Sequence, residues 1–110
     1  MICDRHDVVV IPFPFAEIPV LKRRPSVVLS GSGFNSANQS TLVAMITSSA
    51  GPAWPSDVAL NDLVTAGLRV PCRVRWRLTT IPNALIVRRL GKLGAFDRLS
   101  CEREFANMIS

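Results

Sequence analysis

Histidine occurs once in this chain, at His6, and the three cysteines, Cys3, Cys72 and Cys101, stand far apart. No C-x-x-C or Cys/His pair has the spacing of a metal-ligand set, and the carboxylates are scattered. Neither a catalytic metal nor another cofactor is expected. Isolated thiols in odd number fit a reduced, cytoplasmic protein better than a disulfide framework. Acids are also scarce: Asp and Glu number 8 against 13 Lys and Arg, leaving a formal +5. That excess favours an anionic partner, although a merely solubilising surface gives the same count. Long clean apolar runs are missing. VVVIPFPFAEIPVL carries three prolines and Glu17 and follows Asp4, Arg5 and Asp7, so it is neither a signal peptide nor a membrane span. Repeats, low-complexity tracts and linkers are absent, and residues 1–110 read as one domain.

What is present is a chain of 110 residues, 48% hydrophobic, enough for one modest core. Asp7–Phe13 predicts a short, Val-rich buried strand, with Pro12 and Pro14 taking it to a sheet edge or out of the ladder. Phe15–Pro25 reads as a long loop and Ser26–Ser30 as a second strand. GSGFNSANQS is turn chemistry, and Thr41–Thr47 is a third strand. SSAGPAWPSD reads as another loop and Val58–Leu60 as a short strand. DLVTAG reads as one helical turn capped by Asn61 and ended by Gly67. Cys72–Trp76 alternates, Val74 one way and Arg73 and Arg75 the other, the mark of a strand with one wet face. Leu85–Leu93 is a further strand or strand pair, broken by Gly94. Phe96, Leu99, Phe105, Met108 and Ile109 suit one face of a C-terminal helix. Five or six short strands and a closing helix define a mainly β chain, a curled sheet or small barrel with a helix packed on it.

The stretch KRRPSVVLS, Lys22 to Ser30, sets three cations at the mouth of a strand. Pro25 disfavours the helical region for Arg24 and presents that arginine at a rigid strand end. Read alone, Arg24 is a solvated cation before a turn, and Thr47 a β-former at a strand end. Trp54 reads first as a loop aromatic fixed by Pro55, and second as a stacking platform for a base. Arg73 and Arg75 either track phosphates or form the wet face of an edge strand. His6 reads as a solvated terminal histidine.

In order and spacing, DVVVIPFPF, KRRPSVVLS, LVAMITS, WPSDV and the AGL/VPCRVRW/LTTI segment resemble the MazF/PemK-like toxin family, from about Asp7 to Leu93. The resemblance implies a small SH3-like barrel of the MazF/CcdB type that forms a homodimer. It implies a metal-independent endoribonuclease that cuts single-stranded RNA by attack of its own 2′-OH, and a cognate antitoxin as partner. Arg24 occupies the place of the family's catalytic arginine, and Thr47 that of its catalytic threonine. Lys22, Arg23, Ser48, Trp54, Arg73 and Arg75 are the expected RNA contacts, and the loop Phe15 to Arg23 is expected to meet RNA and antitoxin. One departure stands out. Some members place an Arg-x-Asp pair before Thr-Ile, and often an Asp after it. Here the segment is RVRWRLTTIP, with Pro82 in the later place, so the acid/base carboxylate is missing and weakened cleavage is expected. The alternatives are a non-catalytic toxin or regulator that binds a protein target, as the CcdB group does with DNA gyrase, and a basic RNA-binding module.

Overall fold

A computed structural model describes residues 1–13 and 22–110. Strands β1 (Asp7–Phe13), β2 (Lys22–Val28), β3 (Ser40–Ser48), β4 (Val58–Ala59), β5 (Cys72–Pro82) and β6 (Arg88–Lys92) form one sheet, in the order β4-β5-β3-β2-β1-β6. All the pairings are antiparallel. Helices α1 (Ser32–Asn38), α2 (Leu63–Ala66) and α3 (Ala95–Ile109) complete the chain, with a short 3₁₀ turn at Asn83–Leu85. Among the described residues, no helix is long and apolar enough to cross a membrane.

The sheet is buried on both faces because its central strands are almost continuously apolar. Val8, Val27, Ala44, Ile46 and Val74 point to one side, where Leu60, Ala66, Trp76 and Cys101 join them. This is the side that α2 and α3 cover. Trp76 stacks on Phe105 at 5.9 Å between ring centroids and donates Nε1 to Ser56 O. Val9, Ile11, Val28, Val43 and Met45 point to the other side, against Cys3, Ile81 and Ile86.

Several elements depart from the expectation. β2 begins at Lys22, four residues before Ser26, so the triple cation lies on the strand and not in a loop. The expected loop and its contacts at residues 14–21 lie outside the described residues. GSGFNSANQS forms α1, not a turn. Its composition is poor for a helix, and tertiary hydrogen bonds hold it: buried Asn35 donates to Cys3 O and Ser30 O, and its carbonyl accepts from Asn83 Nδ2. Asn83 Oδ1 accepts in turn from buried Thr41. β5 runs on to Pro82, past a bulge where the β3 register jumps from Met45↔Arg75 to Ala44↔Leu78. The cap of α2 is Asp62, one residue after Asn61; its carboxylate accepts from Thr65 N. Phe96, Leu99, Met108 and Ile109 are exposed, and α3 buries Asp97 and Cys101 instead. Asp97 is fully buried because its carboxylate accepts from the Asn61 and Asp62 amides, fastening α3 to the start of α2. His6 is buried too, at φ 74, with its amide donating to Val28 O and its Nε2 3.4 Å from Glu102. Burial and Arg5 push its pKa down.

Candidate functional site

Pro12 sits where β1 has already lost its neighbour: the β1–β6 ladder ends at Val10↔Arg88, while β1–β2 continues to Phe13↔Lys22. A proline tolerates that place because it has no N–H to pair. Pro25 acts in the same way one strand over. The β2–β3 ladder runs from Val28↔Val43 to Ser26↔Met45 and stops at the proline. Carried on by two residues, the same register sets Arg24 opposite Thr47. On the far side of β3, Thr47 pairs with Arg73, and on the near side of β2, Arg24 pairs with Ile11. A transverse row therefore reads Ile11, Arg24, Thr47, Arg73. Its members share the Val9–Met45 face, since paired residues point to the same side of a sheet.

The polar atoms of this row are poorly served. Arg24 Nε, Arg73 Nε and the hydroxyl of fully buried Ser26 are buried and find no hydrogen-bond partner among the described residues. An orphaned buried donor costs about 1–3 kcal/mol, and three in one neighbourhood mark a place that awaits hydrogen-bond acceptors. Arg24 and Thr47 are half-buried, and Ser48, Lys22 and Arg23 are exposed. Strand alternation turns Arg23 to the face opposite Arg24 and returns Lys22 to the side of Arg24.

Arg73 and Arg75 lie on the same face and are engaged by the protein itself. The Arg73 guanidinium donates to Ser49 O at 2.7 Å and to Gly51 O. Arg75 donates to Pro52 O and, with two nitrogens, to Asp57 at 2.9 and 3.2 Å. Together they pin the loop between β3 and β4, which walls the Arg73 end of the row. Trp54, in that loop, has the Arg75 and Arg77 guanidiniums 4.9 and 5.3 Å from its ring centroid. The ring is exposed to solvent beside these two cations.

Asp57 is the residue that sequence reasoning passed over, although WPSDV was read as a motif. Its side chain is buried, 3.8 Å from Arg73 Nε, and it accepts from the Trp54 amide. Burial works to raise its pKa, but the hydrogen bonds from Arg75 and the Trp54 amide, with the charges of Arg75 and Arg73, hold it below the usual carboxylate range. A carboxylate so held is ionised near neutral pH and is a weaker base than a free one. No group of three or more His, Cys, Asp or Glu side chains among the described residues is placed to hold a metal ion. The three thiols are unbridged and buried, and burial raises each, Cys101 to about 12. They are packing groups and not nucleophiles.

A curled six-stranded antiparallel half-barrel with a C-terminal helix is the MazF-like fold. MazF of Deinococcus radiodurans superposes with a TM-score of 0.77 at 17% identity, over 99% of this chain and 97% of that one. Toxin MazF-mt6 of Mycobacterium tuberculosis gives 0.74 at 20% identity, over 92% and 93%. A mycobacterial endoribonuclease in complex with its cognate antitoxin gives 0.75 at 12% identity, over 98% and 93%. No curated protein matches the chain by sequence. The model of the PemK-like, MazF-like toxins of type II toxin–antitoxin systems matches residues 4–109, and the chain belongs to that family.

Proposed function

We propose that the chain is the toxin of a type II toxin–antitoxin pair and cleaves single-stranded RNA without a metal, through Arg24 and Thr47. The observation that carries this reading is the open rung: Pro25 ends the β2–β3 ladder where a half-buried arginine with an orphaned Nε faces a threonine with no described hydrogen-bond partner. A phosphodiester is the ligand that supplies oxygens to both. The 2′-OH of the substrate attacks its own phosphorus in line. The O2′–P bond forms, the P–O5′ bond breaks, and a 2′,3′-cyclic phosphate and a 5′-hydroxyl end result. The nucleophile belongs to the RNA, so no side chain need attack. Arg24 offers a fixed charge and a planar fork to the phosphoryl oxygens as negative charge builds there. Thr47 donates to a further oxygen or orients the 2′-OH, which also excludes DNA. Lys22, Arg23 and Ser48 hold the neighbouring backbone. Arg73 acts behind Thr47, as the strut of the wall. Water takes the proton from O2′ and supplies one to the departing O5′, while Asp57 stays engaged by Arg75 and the Trp54 amide in the wall.

The partners on this reading are single-stranded RNA, a cognate antitoxin and a second copy of the chain, the last supported by the exposed Phe96, Leu99 and Ile109 of α3. The locked Asp57 favours a second reading, a toxin that binds its target without cutting. Single-turnover cleavage at saturating RNA separates the two. Arg24→Ala should lower that rate by roughly 10²–10³-fold, the effect of losing one strong electrostatic donor. RNA affinity should fall much less, because other cations hold the backbone. Arg24→Lys should recover part of the rate, since an ammonium lacks the fork. Equal rates for the folded Arg24→Ala variant and the parent would end the proposal.

A further inference from the structure

A second group of arginines gathers at the β6 edge of the sheet, where Arg88 pairs with Val10 on the side opposite Arg24 and Arg89 pairs with Val9. Arg69 follows the end of α2, and Arg88 and Arg89 open β6. With Gly67, Leu68 and Leu90 they line a cleft of about 540 Å³. Among the described residues, Arg69 and Arg88 make no hydrogen bond or ion pair. Arg89 reaches only Asp7, at 3.5 Å, with its side chain half exposed. Among the described residues, no carboxylate lines the cleft. Repulsion among three guanidiniums would disperse them if their backbones were free, but their backbones are not. Gly67 is left-handed at φ 74, and a Cβ there would lie 2.2 Å from Leu90 O; a Cβ on Gly91 would lie 2.3 Å from Thr65 O. The end of α2 is thus pressed directly on β6, and the three arginines are held at one mouth.

The cleft connects with the candidate site through Arg23. Arg88 pairs with Val10, and Val10 with Pro25, so these residues share one side. Arg23, two residues before Pro25 on β2, falls on that side as well. Two strand spacings, about 10 Å, separate β2 from β6. Arg24 and its neighbour Arg23 therefore stand on the two sides of the sheet where β2 begins, and a flexible strand leaving Arg24 over that rim meets Arg23 and then the cleft.

We infer that Arg69, Arg88 and Arg89 form an accessory phosphodiester site that holds the flanking backbone of the same RNA. The inference rests on the RNA reading above and extends it. The lining offers forked cations and neither an aromatic ring nor an amide side chain to read a base, so the contact is independent of sequence. It is open to single strands, which can turn the rim, and closed to a stiff duplex.

The test is fluorescence anisotropy with 2′-O-methyl oligouridines of roughly 4 and roughly 16 nucleotides, which bind without being cut. The proteins compared are the parent, R69Q/R88Q/R89Q, and R69K/R88K/R89K, each checked by circular dichroism. The triple Gln variant should bind the long probe roughly 10–100-fold more weakly. Its slope of log affinity against log salt should be shallower by about 2, at about 0.7 per lost contact on a single strand. The short probe should bind all three proteins alike, and the triple Lys variant should keep most of the slope. A long-probe affinity and slope unchanged in the Gln variant would overturn the inference while leaving the RNA reading intact. Failure of the parent to bind either probe would overturn both. Binding of polyglutamate that is lost in the Gln variant, with long-probe affinity unchanged, would assign the cleft to an acidic partner and likewise overturn it.

Discussion

Asp57 is a buried charge fastened between the β3–β4 loop and β5, beside the row. It receives two hydrogen bonds from Arg75 and one from the Trp54 amide, and Arg73 stands 3.8 Å away. Replacing it with Asn should leave Arg75 less well paired and loosen the wall beside Thr47. Hydrogen bonds to charged groups contribute about 1.5–3 kcal/mol each in such settings, so Asp57→Asn should lower stability at neutral pH by about that amount. The pH dependence has a definite sign. The folded carboxyl titrates below its ordinary value of 3.8, so its stabilisation is complete above that value and disappears as pH falls through the folded one. Urea melts of parent and variant should therefore differ at neutral pH and converge in acid. A difference that persisted at the lowest pH would mean that Asn disturbs packing and not charge.

Among the elements, α2 owes its position to its last cap. Gly67 accepts the left-handed conformation that ends the helix, and its bare Cα lets Leu90 O approach. Gly67→Ala should destabilise the chain by roughly 2–4 kcal/mol, combining left-handed strain with overpacking; a denaturation midpoint equal to the parent's would refute this. The sequence displayed some elements well and others badly, for physical reasons. β1, β3 and β4 were legible because Val and Ile runs bounded by turn residues have few alternatives. α1 was not, because Gly, Ser and Asn favour turns locally, and the side chain that holds the helix, Asn35, finds its partners at Cys3 and Asn83, far away in sequence. The length of β5 was hidden by the bulge at Trp76 and Arg77, which interrupts its pairing. The face of α3 was read only in part: Phe105 packs on Trp76, but Asp97, satisfied by two backbone amides, takes the buried place near the helix start and leaves Phe96 and Leu99 outside. Arg24 and Thr47 were legible as residue types at strand ends. That one row contains both could not be seen without the register, and Asp57 could not be seen because its partners come from β5.

For the whole molecule, charge carries most of the argument. The described residues hold no metal-ligand group, and on the proposed reaction RNA supplies the nucleophile. Cleavage should persist in EDTA; loss on chelation with recovery in Mg²⁺ or Mn²⁺ would contradict the mechanism. The chain's net charge of +5 should also draw an acidic antitoxin segment, so on the proposed reading antitoxin and RNA should compete. A ternary complex that still cleaves at the uninhibited rate would show that they do not. The orphaned donors of the row have a consequence on another timescale. An aliphatic side chain at position 24 should remove a buried unsatisfied group and leave a more stable fold, so on the proposed reading the arginine is kept for RNA against the drift of random mutation. Lineages that abandon the activity should lose this residue early and gain thermostability as they do, and a set of inactive descendants should melt higher than the active ones they came from.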